Sequence, residues 1–327
     1  MILVLGGAGY IGSHMAKALR EAGEPHLIFD NFSSGHLAAV KGSKWLRGDL
    51  RNPEDLRKVL SLYDIDVVMH FAASISVGES VRMPAEYWQN NFVGVLNLLD
   101  AMRYAAVHKL VFSSTAAVFG EPQEIPIAED HPHAPTSPYG DSKHAVELAL
   151  RAYGEAYGMR SVALRYFNAA GADPDGVLGE DHRPESHLIP AAFLSAMGKT
   201  APMQIFGTDY PTRDGTCVRD YVHIMDLAQA HLLAVHHLRA GGDSREYNLG
   251  NGEGFSVREV LETTERVTGM NVPRTDGPRR DGDPATLVAS SARIREEWGW
   301  KPAYPDLETI VRHAWDWRKA NPDGYTD

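Results

Sequence analysis

The sequence predicts an α/β protein: a doubly wound parallel sheet followed by a smaller, mixed α/β C-terminal part. Three observations predict it. Short continuous apolar runs such as Ile2-Leu-Val-Leu5 and Val67-Val-Met-His-Phe71 read as strands buried on both faces. Through the first half these runs alternate with stretches of helical period. A glycine-rich turn stands directly between the first strand and the first helix.

The elements follow in order. After the strand 2–5, residues 10–22 place Ile11, Met15, Ala18 and Leu19 on one helical face. His26-Leu-Ile-Phe29 is the next strand. Asn52-Pro53-Glu54-Asp55 starts a helix, with a capping amide, a proline in the first turn and then acids. Residues 67–71 form a strand, 84–105 a long helix and 109–112 a strand. Residues 138–157 form a helix and 161–165 a strand. After about residue 170 the texture changes. Residues 171–187, 207–216 and 273–286 read as polar loops, and 188–198 and 225–238 as helices. Two domains are expected, 1–170 and 171–327, with a segment near 218–240 returning to the first.

Composition narrows the function. The chain has 327 residues, with 32 Lys+Arg against 43 Asp+Glu and a net charge of −11. An acidic chain is a poor general binder of nucleic acid or anionic membrane. The single cysteine, Cys217, allows neither an internal disulfide nor a cysteine zinc site. No leader pattern or spanning apolar run is visible, so the cytoplasm is expected.

Gly6-Gly7-Ala8-Gly9-Tyr10-Ile11-Gly12 places glycines at GxxGxxG spacing. Such a turn brings backbone close to a pyrophosphate at a helix N-terminus. Asp30 ends the second strand, 18 residues past Gly12. A carboxylate there accepts ribose hydroxyls and repels a 2′-phosphate, which favours NAD over NADP. Asp49, in Gly48-Asp49-Leu50 just after a further short strand, is placed to reach the adenine.

Tyr139 and Lys143 lie four apart, on one face of a helix started by Pro138. An ammonium beside a phenol favours the phenolate, which suits a general base for a sugar hydroxyl. Ser113-Ser114-Thr115 ends the preceding strand, at the carboxyl edge where ligands bind in open α/β sheets.

On these residues the chain resembles the extended short-chain dehydrogenase/reductase superfamily, with its Rossmann-type fold, and within it the UDP-glucose 4-epimerase family. The likeness runs nearly end to end. It includes His70-Phe71-Ala72-Ala73, Val77-Gly78-Glu79-Ser80 and Arg165-Tyr166-Phe167-Asn168. The family-specific parts are the block 206–223 and the ending Asn321-Pro322-Asp323-Gly324-Tyr325.

The resemblance implies tightly held NAD, a UDP-sugar substrate and 4-epimerisation through a 4-keto sugar. It implies Tyr139, Lys143 and Thr115 as the catalytic set. Cofactor binding falls to Gly6, Gly9, Tyr10, Ile11, Gly12, Asp30, Asn31, Asp49, Leu50, Phe71, Ala72, Ala73, Asn90, Ser113, Tyr139, Lys143 and Phe167. The UDP-sugar falls to Thr115, Asn168, His187, Leu188, Gln204, Phe206, Arg219, Tyr221, Arg280 and Asp283. Domain 1–170 would hold NAD and 171–327 the sugar nucleotide. The family's dimer is built on the helices at 92–105 and 144–157, so a homodimer is expected.

Three positions depart from better-known members. Ile75 replaces a lysine that reaches a cofactor phosphate, and His187 replaces an asparagine that touches substrate. Leu287 replaces a tyrosine that in some members walls off the sugar 2-position, which leaves UDP-N-acetylhexosamines open as substrates. UDP-xylose/arabinose and UDP-glucuronate epimerases also stay open. A dehydratase needs acids after the catalytic hydroxyl, and Ala116-Ala117 stand there instead. A non-catalytic NAD-binding scaffold would need neither Tyr139 nor Lys143. The 15 histidines are read as surface residues and no metal site is expected. Cys217 is read as a packing residue, and Trp298, Trp300, Trp315 and Trp317 as core of the C-terminal part.

Overall fold

The computed structural model describes residues 1–280 and 282–326. Seven parallel strands form the central sheet. The first half supplies β1 (Ile2–Leu5), α1 (Tyr10–Glu21), β2 (His26–Asp30), β3 (Trp45–Arg47) and α2 (Pro53–Leu62). Then come β4 (Val67–His70), α3 (Val77–Arg82), α4 (Pro84–Tyr87) and α5 (Gly94–Tyr104). β5 (Lys109–Thr115), α6 (Pro138–Tyr157) and β6 (Arg160–Tyr166) follow. After β7 (Asn168–Ala170), α7 (Leu188–Ala196), β8 (Met203–Phe206), β9 (Val218–Arg219) and β10 (Tyr221–His223), the chain forms α8 (Ile224–Arg239). It then adds β11 (Arg245–Leu249) to the sheet, whose order is β11-β6-β5-β4-β1-β2-β3.

The sheet order reverses between β1 and β4, which opens a crevice at their carboxyl ends. Register makes those ends level: Leu5 pairs with both Phe29 and His70, and Thr115 with Tyr166. Helices cover both faces. Ile2, Val4, Met15, Leu19, Leu227 and Val235 pack on one side, and Leu3, Leu5, Leu56, Leu98 and Val146 on the other. Each such fully buried aliphatic side chain contributes roughly 1.5–3 kcal/mol. Helix ends are set locally. Asn52 caps α2 by accepting from Glu54 N–H at 3.2 Å. Ser137 caps α6 by accepting from Gly140 N–H at 3.2 Å, ahead of Pro138.

The expected return to the sheet is longer than residues 218–240, because β11 is itself an edge strand of the main sheet. The rest is small. β12 (Phe255–Ser256) and β14 (Thr286–Leu287) flank β9, while β13 (Arg274–Gly277) pairs with β8. α7, α9 (Val257–Thr268) and α11 (Leu307–Ala320) pack around Phe193, Val260, Ile310 and Val311.

Three readings change. Residues 273–286 are not all loop, since Arg274–Gly277 adds a parallel strand to β8. The long helix 84–105 is interrupted at 88–93 by a wider π turn. The tryptophans divide: Trp300, with Trp298 against it, joins the α1/α8 layer of the main sheet, and α10 (Ala292–Trp298) carries this pair there. No helix among the described residues is long and apolar enough to cross a membrane.

Candidate functional site

The glycine turn opens into the crevice. Gly6 takes φ 74°, the left-handed region, and a Cβ there would lie 2.5 Å from the backbone nitrogen of Ala72. A Cβ on Gly12 would lie 2.2 Å from Gly6 O and 2.7 Å from Gly7 Cα. Gly9 differs. Its backbone (φ −77°, ψ 176°) suits any residue, and a Cβ would meet nothing nearer than Gly6 O at 3.5 Å. The protein leaves room beside Gly9, at the N-terminus of α1, an end whose N–H groups favour an anion.

Asp30 fastens this turn. Its carboxylate accepts from Ala8 N–H at 2.8 Å and from Phe32 N–H at 2.7 Å. Burial pushes its pKa up, and the two N–H donors pull against that. Each oxygen keeps a lone pair for a ribose hydroxyl. Asn31 donates to Asp49 at 3.0 Å, and Arg51 also grips Asp49, holding that carboxyl well below the usual range. Leu50 is buried against α5. Tyr10 is buried and donates to Gly171 O at 2.7 Å, and Ile11 packs on the α1/α8 layer. Beyond β4, the Phe71 ring meets His231 at 4.9 Å and Ala72 overlies Gly6. Ala73 is half-buried, and Ile75 is exposed. Asn90 lies in the π turn and donates to Ser74 Oγ at 3.4 Å.

Thr115, Tyr139 and Lys143 converge at the end of β5. Burial pushes the Tyr139 phenol up, against a hydrogen bond with Thr115. Lys143 is 2% exposed, and burial pulls its pKa down to about 7. Its Nζ donates to Ser113 O at 2.9 Å and lies 4.8 Å from the Phe112 ring centre. The expected lowering of Tyr139 by Lys143 is therefore not a property of the protein by itself: the amine is directed to a carbonyl and both groups are desolvated. Ser113 Oγ bonds Tyr166 Oη.

The second half contributes loop and short-strand residues. Asn168 donates to Asp220 O at 3.0 Å and is in register with Tyr221. Arg219 pairs with Asp283, and the Arg280 guanidinium lies 3.8 Å from the Phe206 ring centre. Gln204 and Phe206 share β8, and Leu188 opens α7 behind its capping residue His187. Phe167 and Leu287 both pack against the Val118, Phe119 and Ile127 cluster, which joins this half to the end of β5. Cys217 is buried, with Sγ 3.8 Å from Asp283.

Sequence reasoning missed four supports. Glu147 continues the Tyr139/Lys143 spacing by one more turn, a signal that was available. It accepts from Arg165 at 2.9 and 2.7 Å and from Ser114 at 2.5 Å. Burial works to raise the Glu147 pKa, and Arg165 outweighs it and holds the carboxyl low. Asn91 clamps Ser74 through N–H and C=O at 2.8 and 2.9 Å. Tyr166 closes over Ser113. Asp220 accepts from the N–H groups of Asn251, Gly252 and Ala289 at 2.8, 3.0 and 3.1 Å. The histidines are not all on the surface either: His14, His70, His223 and His231 are fully buried.

Residues 2–250 match the model of the NAD dependent epimerase/dehydratase family. A UDP-glucose 4-epimerase of Halalkalibacterium halodurans is 53% identical over 99% of this chain and 97% of its own length. The crystal structure of a Brucella ovis UDP-glucose 4-epimerase in complex with NAD superposes with a TM-score of 0.94 at 46% identity, covering 97% of this chain and 98% of that one. A Bifidobacterium longum UDP-glucose 4-epimerase in complex with NAD+ and UDP gives a TM-score of 0.94 at 37% identity over 99% of both chains.

Proposed function

The chain belongs to the NAD-dependent epimerase/dehydratase family, and on that premise we propose that it interconverts UDP-galactose and UDP-glucose. The sugar is oxidised at C4 to a ketone, turns over within the site and is reduced from its other face. The observation that carries this reading is the convergence of Thr115, Tyr139 and Lys143 beside a glycine turn with free space over Gly9. Its full-length likeness to UDP-glucose 4-epimerases supports the same activity.

NAD, when bound, supplies a positively charged ring that accepts the C4 hydride and later gives it back. Residues 1–170 with the returning stretch form the cofactor unit in this reading, and the remainder grips the sugar nucleotide. The N–H groups at the start of α1 hold the pyrophosphate, and Asp30 holds the adenosine ribose. Tyr139 takes the proton from the 4-hydroxyl and returns it to the same oxygen. Thr115, hydrogen-bonded to Tyr139, orients that hydroxyl and helps pass the proton. Lys143 holds the nicotinamide ribose. Its lowered pKa makes it able to exchange a proton near neutrality. Arg219 and Arg280 fork onto the diphosphate, and Phe206 and Tyr221 contact the nucleoside.

A second reading keeps the chemistry and widens the substrate. Leu287 packs toward Phe119 and Ile127 where some members of the family carry a tyrosine, which supports entry of a 2-N-acetyl group. A homodimer is part of the proposal. Tyr104, Leu148 and Tyr157, on α5 and α6, are exposed and suit an interface there. A cytoplasmic setting follows from the substrates, which are intracellular metabolites in this reading.

The test is direct. Purified protein is denatured and assayed for released NAD, and native protein is incubated with UDP-galactose without added cofactor while UDP-glucose is followed by NMR. Bound NAD with no product would overturn the UDP-glucose reading. Turnover of UDP-N-acetylglucosamine decides the second.

A further inference from the structure

We propose that Glu180, His182, Glu185 and His187 form a binding site for one divalent transition-metal ion, with Zn2+ as the best match. All four lie in the loop that runs from β7 to the start of α7. One ligand-capable atom from each side chain lies within 4.8 Å of every other. His182 Nδ1 stands 3.3 Å from Glu180 and 3.6 Å from Glu185, and His187 Nδ1 closes on the same Glu180 oxygen. Tetrahedral zinc with bonds of about 2.0–2.1 Å to imidazole and carboxylate sets its donors roughly 3.4 Å apart. The His182 separations match that figure, while His187 and Glu180 stand closer, in a direct hydrogen bond that a bound ion would replace.

The environment favours an ion over a set of ion pairs. The carboxylates of Glu180 and Glu185 are nearly inaccessible, at 7% and 3% exposure. His182 Nδ1 is shut off from solvent and lacks hydrogen-bonding geometry to any partner. An ion-pair knot would turn that nitrogen's N–H into a carboxylate. A metal would use it as it stands, within 4.8 Å of the other three donors. Two imidazoles select against Mg2+ and Ca2+, and two carboxylates neutralise a dication. The other His/Glu cluster, at His133, His144 and Glu147, also holds unpartnered imidazole nitrogens, but it offers three donors and a single carboxylate, whose charge the Arg165 guanidinium already neutralises.

The position gives such an ion a consequence. The His182 ring stands edge-on to Tyr10 of the glycine turn, with centres 6.3 Å apart. Arg318 on α11 donates to Glu180 O at 2.8 Å. An ion here pins the β7–α7 loop between the first helix and the last one, and so braces the seam of the cleft.

Tag-free protein, stripped with a chelator and dialysed, is titrated with Zn2+ by calorimetry, with Mg2+ as control, and metal content is counted by mass spectrometry. The expected result is one Zn2+ per chain, no Mg2+ binding, a raised Tm and ligand-field bands of tetrahedral Co2+ on substitution. His182→Ala and Glu185→Gln each weaken Zn2+ at least about 100-fold, the upper end of what supporting partners alone cost. Circular dichroism checks that each variant folds, and Glu185→Gln, nearly isosteric, stands in if His182→Ala does not. No zinc bound by the parent, or zinc bound equally by parent and both variants, overturns the proposal.

Discussion

Gly9 and Gly12 make a pair that separates ligand room from packing. In Gly12→Ala the new Cβ falls 2.2 Å from Gly6 O and 2.7 Å from Gly7 Cα. Both are backbone atoms of a turn already held by Asp30, so they cannot rotate away. Overpacking of this kind costs about 3 kcal/mol at the upper end. Alanine inside α1 returns about 1 kcal/mol of helix propensity. The net loss is about 2 kcal/mol, or roughly 4–8 °C of Tm for a large domain. In Gly9→Ala the Cβ has only an ordinary 3.5 Å contact and a backbone it accepts. Losing glycine at the cap costs roughly 0.5–1 kcal/mol, and the stiffer unfolded chain returns roughly 0.4–1 kcal/mol. Stability should stay within about 0.5 kcal/mol of the parent by these same terms. The methyl instead occupies the space proposed for the pyrophosphate. Weakening of NAD by about tenfold or more, about 1.4 kcal/mol, is expected. The assays are urea unfolding of cofactor-stripped protein and fluorescence titration with NADH. The reasoning fails if Gly9→Ala retains full NAD affinity, or if Gly12→Ala unfolds with the parent.

Three other outcomes follow. Tyr139→Phe should lower kcat by about 10²–10⁴ while released NAD stays stoichiometric, since only the proton acceptor is removed; unchanged turnover would exclude Tyr139 as the base. Stability should fall as pH drops below about 6.5. Burial pulls His70 and His223 to about 3 and His231 to about 4, so between those values and the unfolded value the unfolded chain binds more protons. Each such histidine then loses about 1.4 kcal/mol per pH unit; His231→Leu, which also removes a buried Nε2 without a partner, should flatten the acid limb in urea melts at pH 5 and 7. Asp220→Asn replaces one of two accepting oxygens with an NH2, setting it against at least one of the three N–H donors, and should cost about 2–3 kcal/mol and weaken UDP binding through the adjacent Arg219, read by denaturation and by UDP titration.

The parts legible in the sequence were those fixed by local rules. Ile2–Leu5, the glycine turn and Asp30 announce a strand, a close backbone approach and a carboxylate at the next strand end, all within one unit. Ser137-Pro138 sets the start of α6, which in turn fixes the face that Tyr139, Lys143 and Glu147 share. The parts that stayed hidden depend on partners distant in the chain. Residues 274–277 carry Arg, Thr, Asp and Gly, with no strand pattern of their own, and become β13 only because β8 offers a free edge. Trp300 reads as part of a C-terminal cluster, yet its indole N–H reaches Asp226 O at 3.1 Å and its ring fills the α8 layer. The buried histidines look like surface residues because nothing local marks their burial: His14 and His231 each bond a carbonyl one turn back, His223 bonds Met225 N–H and His313, and neither ring nitrogen of His70 has a hydrogen-bond partner. His231, for example, meets Leu227 O at 2.8 Å.

The same distinction explains how a chain of net charge −11 is suited to anionic ligands. Most of its basic groups near the crevice are already paired with carboxylates. Arg219 is paired with Asp283, Arg51 with Asp49 and Arg165 with Glu147. Arg280 lies on the Phe206 ring instead of on a carboxylate. A diphosphate entering this cleft therefore gains little from long-range attraction, which the overall charge opposes. In the proposed function binding comes from short, directed bonds: N–H groups at the start of α1 for the cofactor pyrophosphate, and for UDP the Arg280 fork and Arg219 once it shares or releases Asp283. Such bonds are strong where water is excluded and fall little with salt. UDP affinity should accordingly change less than about threefold between 0.05 and 0.5 M NaCl, over which the screening length falls from roughly 14 to 4 Å. A steep loss across that range would place the anion on a diffuse basic surface and contradict capture by short, directed bonds.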